Sequence, residues 1–183
     1  MEKIKNHFSE RWYMYVMGIL IVAMIYFYGK ITDYEENNIN EINSVYYMTQ
    51  LNVEDIIGVT SFNKMGQELS FTKKEDDTWV YTADESLAIE QAGPQYLAEL
   101  LNEIATEYLV EDAEDISIYG LSDKCPYVEI ETAEKDYRIY IGDYNDTVKR
   151  YYAYLEGEND VYGVQVNVAE VLDFTLEDYL LKE

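Results

Sequence analysis

His7 is the single histidine of this 183-residue chain, and Cys125 is its single cysteine. A lone cysteine excludes an internal disulfide and any cysteine-rich zinc site. With His7 near the N-terminus, the rest of the chain has no histidine to activate a serine or cysteine, and none to bind a metal. Cys125 stands directly before Pro126. It reads as a small residue near a turn, because no base or second cysteine lies nearby to make it a reactive thiol. Gly58, Gly66, Gly93, Gly120, Gly142, Gly157 and Gly163 are isolated. They fit turns and caps and form no phosphate-binding loop.

Carboxylates are the abundant chemical group, 37 Asp and Glu in all. A glycoside-type hydrolase needs only two at a set separation. At this density, however, suggestive pairs arise by chance, so none is assigned a catalytic role. The segment Asp143-Tyr144-Asn145-Asp146-Thr147 opens like a calcium loop. Val148 then occupies the position that needs glycine, and no glutamate stands at the twelfth place. An Asx-type turn after a strand is the expectation there.

The chain has 20 tyrosines. Strand alternation puts Tyr152 and Tyr154 on one face, and Tyr151, Ala153 and Leu155 on the other. Tyr137 and Tyr140 fall on opposite faces of the preceding strand. An exposed aromatic row could hold a glycan or a partner protein; packing in half-buried sheet positions is the expected role. Trp79, mid-strand beside Val80, reads as core. Glu107, Glu111, Asp112, Glu114 and Asp115 read as a solvated acidic loop rather than a dock for a basic partner. No catalytic, cofactor-binding or metal-ligating residue is assigned.

Thirteen Lys and Arg leave a formal net charge of −24. That balance argues against nucleic acid as the main partner, since phosphate binding needs a basic surface. The 48% hydrophobic content supplies a real core and excludes wholesale disorder. The first thirty residues hold four bases and two acids, so the acidity lies entirely beyond them.

Arg11 and Lys30 enclose 18 uncharged residues, Trp12 to Gly29. As a helix these cover roughly 27 Å, close to the hydrocarbon thickness of a bilayer. Aromatic residues flank the run: Trp12, Tyr13 and Tyr15 at one end, Tyr26, Phe27 and Tyr28 at the other. The bulky exit lacks the small-x-small site of a cleaved signal peptide. The expectation is an uncleaved, single-pass anchor in the bilayer. Lys3, Lys5 and Arg11 precede it, against Lys30 alone at its exit. The positive-inside rule then makes residues 1–11 a cytoplasmic tail and places the chain beyond the anchor outside the cell membrane.

Residues 30–50 are polar and read as a stalk, either a short helix or a flexible linker. Residues 51–183 have the size of one extracytoplasmic domain. Strands are expected at 56–62, 68–72, 79–81, 127–131, 136–141, 150–155 and 161–166. Gly93-Pro94 opens a helix whose stripe Leu97, Leu100, Leu101, Ile104 and Tyr108 faces a sheet. Residues 168–174 form a second short helix, and Thr175-x-x-Asp178 a capping box for a last turn. The order βββ-α-ββββ-α predicts an α+β fold, mostly antiparallel sheet with packed helices behind one transmembrane helix.

Several local features occur in a fixed order. They are Asp76-Asp77-Thr78-Trp79-Val80, the leucine helix, Tyr119-Gly120-Leu121 with Pro126, Ile139-Tyr140-Ile141-Gly142, Arg150-Tyr151-Tyr152 and Val161-Tyr162. Over roughly residues 56–181 the chain resembles the bacterial domain-of-unknown-function 4340 family. The resemblance implies an anchored extracytoplasmic α+β domain with no established catalytic residues. Some relatives accompany gliding-motility-type ABC transporter auxiliary proteins, which implies an accessory role. The functional expectation is a membrane-anchored, non-enzymatic accessory or interaction domain with protein partners, in an envelope or ABC-transporter-associated assembly. The alternative is an extracytoplasmic ligand- or glycan-binding domain, or a carboxylate-based hydrolase.

Overall fold

The computed structural model describes residues 16–31 and 44–182, which fall in two separate units, Met1–Ser44 and Val45–Glu183. Helix α1 spans 16–31. Met17, Ile19, Leu20, Ile21 and Val22 are all exposed. That run covers more than one turn at 3.6 residues each, so the helix is apolar on every side. It ends two residues beyond the expected Gly29. The expected start of the span at Trp12, the tail 1–11 with His7, and most of the stalk lie outside the described residues. Among the described residues, no helix is long and apolar enough to cross a membrane.

The second unit is an α+β domain built on two antiparallel sheets. Strands β2 (Ile56–Phe62), β3 (Glu68–Lys73) and β4 (Trp79–Tyr81) form the predicted meander. Strands β7 (Tyr127–Thr132), β8 (Asp136–Asn145), β9 (Arg150–Leu155) and β10 (Val161–Val164) form the later hairpins. With β6 (Leu109–Val110) they make one eight-stranded sheet, ordered β4-β3-β2-β7-β8-β9-β10-β6. A separate ribbon pairs β1 (Tyr46–Gln50) with β5 (Glu103–Thr106).

Period-two alternation fills the inner face of the large sheet. Val59, Phe71, Val128, Ile130, Ile139 and Ala153 are each 0% exposed. Helix α2 (Ala92–Leu101) lays Leu97, Ala98 and Leu101 on this face. The short helices α3 (Val166–Glu170) and α4 (Leu176–Tyr179) add Val168, Ala169 and Tyr179. Gly93 in the first turn of α2 permits this packing, because a Cβ there would lie 2.7 Å from the Tyr179 ring. The capping box predicted for α4 forms as expected, Thr175 and Asp178 satisfying each other's backbone.

Three strands depart from the expectation. The helical stripe was extended to Ile104 and Tyr108, yet α2 ends at Leu101 and Ile104 lies in β5. Thr49, 3% exposed on β1, donates its hydroxyl to the Leu101 carbonyl at 2.7 Å. The same oxygen accepts from the Ile104 amide at 3.0 Å. One buried hydroxyl thus satisfies the helix end and the first strand amide together. Residues 46–50 are therefore a strand of the domain rather than a stalk, and the unit starts at Val45 rather than at 51. The third departure is β6, two residues long, which pairs with β10 inside the expected acidic loop.

Candidate interaction surface

The outer face of the large sheet is built from aromatic, acidic and hydroxyl side chains. Four rings run across four adjacent strands: Phe62 on β2, Tyr127 on β7, Tyr140 on β8 and Tyr154 on β9. Phe62 and Tyr127 stack with centroids 5.4 Å apart, Tyr127 and Tyr140 tilt at 5.7 Å, and Tyr140 and Tyr154 stack at 5.0 Å. They are directly opposed cross-strand pairs, the geometry in which rings contact most closely. Residues 113–125 cover the Tyr140–Tyr154 end, where Leu121 and Tyr119 join the buried cluster. The Phe62–Tyr127 end stays half-exposed.

Two tyrosine tips find acidic partners. The Tyr127 hydroxyl donates to Glu68 at 3.3 Å, and the Tyr140 hydroxyl donates to Glu156 at 3.1 Å. Burial, with Glu68 next, pushes the Tyr127 phenol above its ordinary value. Burial likewise raises Tyr140 and Tyr154. Tyr162, on the inner face, is pushed up to about 12 by burial and then by Glu158. None of these phenols ionises near neutral pH, so the ladder offers ring surface and hydrogen bonds rather than a general base.

Arg138 locks the next row. Its Nε donates to Glu129, its guanidinium lies 4.6 Å from the Tyr127 ring centre, and Glu156 sits 3.9 Å away. Hydrogen bonding to Glu129 first, and to Tyr140 next, raises the guanidinium pKa well above its ordinary value. The adjoining row holds Glu131, whose carboxylate lies over Gly58: a Cβ at 58 would come within 2.5 Å of Glu131 Oε2. Burial, then Glu129 and Asp136, raises the Glu131 pKa.

The structure also places the remaining residues that the sequence singled out. Trp79 is 3% exposed and core, with its indole N–H donating to Gln95 at 3.2 Å. Cys125 is half-buried and donates to the Gly120 carbonyl at 3.1 Å. Asn145, the last residue of β8, accepts from the Thr147 amide at 2.9 Å, so the expected Asx turn follows the strand and starts at Asn145. No group of His, Cys, Asp or Glu among the described residues has metal-holding geometry. Tyr151 and Ala153 pack on the inner core, while Tyr152 joins the outer cluster, as alternation predicted.

Sequence reasoning missed one concave feature. A groove of about 400 Å³ lies between the turn Val53–Asp55 and the β7–β8 hairpin, lined by Glu54, Asp55, Ile57, Glu134 and Tyr137 among others. It joins carboxylates to a tyrosine, but the tyrosine is Tyr137 rather than the Tyr152/Tyr154 pair. The adjacent Ile56-Ile57 is the sole local signal. Ile56 is fully buried, whereas Ile57 is 43% exposed at a break in the β2–β7 register.

No curated protein and no solved structure matches this chain. The family match covers residues 79–183, more than half of the chain, starting at β4 rather than at the expected residue 56. The sheet from β4 onward, the tyrosine rows of β7 to β9 and the capped C-terminal turn all fall inside it. The chain belongs to the family described as Domain of unknown function (DUF4340).

Proposed function

We propose that the protein is a membrane-anchored, non-enzymatic interaction domain, held outside the cell membrane by its N-terminal segment and acting as an accessory to a larger protein assembly. The observation that carries this reading is α1. Its apolar side chains are exposed around the whole circumference, a pattern that suits an apolar surround. The uncharged sequence run begins four residues before the described part of the helix, at Trp12. Together the two stretches reach the length of a bilayer core. Basic residues ahead of the run favour an outward-facing domain.

The interaction half of the reading is supported by the contents of the described surface. Many of its polar groups are paired into ladders and turns, and no residue set there is arranged as nucleophile, base and orienter. An accessory place beside an ABC transporter is the finer form of the proposal, drawn from the family resemblance. An alkaline carbonate wash of native membranes tests the anchoring. The intact chain stays in the pellet, and release into the supernatant would overturn it. Protease added to right-side-out vesicles tests orientation, since an outward domain is digested and an inward one is protected.

A further inference from the structure

The groove beside the β7–β8 hairpin has an apolar floor and an acidic rim. Ile57 supplies the floor because a bulge between Ile56 and Gly58 leaves it outside the regular ladder and turns it outward. Bulges re-aim side chains in this way at functional edges of sheets. Glu54, Asp55 and Glu134 stand on the rim, and none makes an ion pair among the described residues. The wall is Tyr137, and the ammonium of Lys135 lies 4.7 Å from its ring centre. Lys135 is not itself a lining residue, but its contact shows that the Tyr137 ring accepts a cation, and the three rim carboxylates are held in no ion pair among the described residues.

We propose that this groove receives the arginine or lysine side chain of a protein partner. The stem lies on Ile57, and the charged head sits between Tyr137 and the rim carboxylates. The chemistry is matched at each level. A long basic side chain buries its methylenes on apolar surface while keeping its head polar. An aromatic face attracts the cation, and unpaired carboxylates complete its hydrogen bonds. The volume of about 400 Å³ is ample for one such side chain. This identification rests on the interaction-domain reading and names the chemistry of its partner.

The test uses the full chain in neutral detergent with two probes, N-acetyl-arginine amide and its uncharged isostere N-acetyl-citrulline amide, monitored by amide chemical shifts. The arginine probe should give saturable shifts confined to residues 54–57 and 132–137, weakened by salt, and the citrulline probe none there. Glu134→Gln, on an exposed turn, should weaken binding. Lys135→Ala removes a like charge beside the groove and should tighten binding, by about two- to fivefold. Equal response to both probes, shifts spread over the whole acidic surface, or weaker binding by Lys135→Ala would overturn the proposal. Because no partner enters the assay, its failure leaves membrane anchoring and assembly untouched, and the two failures are told apart.

Discussion

The two faces of the eight-stranded sheet are made by the same strands and by the same alternation, yet they solve different problems. On the inner face, Val59, Phe71, Val128, Ile130, Ile139 and Ala153 lose all contact with solvent under α2, α3 and α4. Nothing on those side chains needs a partner, so the requirement is volume and shape. On the outer face, the buried rings of Tyr140 and Tyr154 carry hydroxyls, and Arg138 carries a charge. Such groups call for a matching neighbour, as Glu156 matches Tyr140 and Glu129 matches Arg138. The inner face thus sets stability, while the outer face and its rims set what the surface can recognise.

That contrast predicts a graded series in urea titrations of the intact chain in mild detergent, monitored by circular dichroism. Phe71 is fully buried and its ring meets Tyr179 at 4.6 Å. Phe71→Ala should cost about 3–5 kcal/mol. Thr49→Val removes the hydroxyl shared by Leu101 and Ile104 and should cost about 2 kcal/mol, with loss of the β1–β5 ribbon. Tyr140→Phe keeps the outer ladder's ring and removes its hydroxyl's bonds to Glu156 and Arg138, a loss of about 1 kcal/mol. A cost equal to that of Phe71→Ala would erase the distinction between the faces.

Two further substitutions should act in the opposite direction. The Tyr179 hydroxyl is buried with no hydrogen-bond partner among the described residues, and burial holds its pKa far above the ordinary phenol value. Tyr179→Phe should therefore leave stability unchanged or raise it by up to about 1 kcal/mol. Glu131 gives the smallest effect and a pH signature. Its folded pKa is raised, so its contribution is fully present below the ordinary glutamate pKa and is lost as pH rises through the folded value. Glu131→Gln should stabilise by roughly a few tenths of a kcal/mol at neutral pH, solvent screening having reduced the full effect, with the gain vanishing in acid.

Much of this was legible in local sequence. Alternation in 68–73 and 127–132 reflects one buried face, and Thr175 and Asp178 announced the last helix through a bond that spans three residues. The division of Tyr151 from Tyr152 needed only the period of a strand. The features that escaped depend on distant contacts. Nothing near Leu101 says that the helix must stop there, because the hydroxyl that stops it belongs to Thr49, 52 residues earlier. The groove escaped for a related reason. Ile56 and Ile57 are the same residue type in the same strand, and only the register against β7 sends one inward and the other out.

We proposed that this acidic domain works in an assembly at a membrane. The most direct measurement is the native mass of the intact protein purified from its own membranes in mild detergent. The account predicts a discrete complex heavier than the 21.5 kDa chain, dissociated by salt as a partner held by charge would be. A detergent-free, partnerless monomer recovered from the aqueous fraction would contradict it.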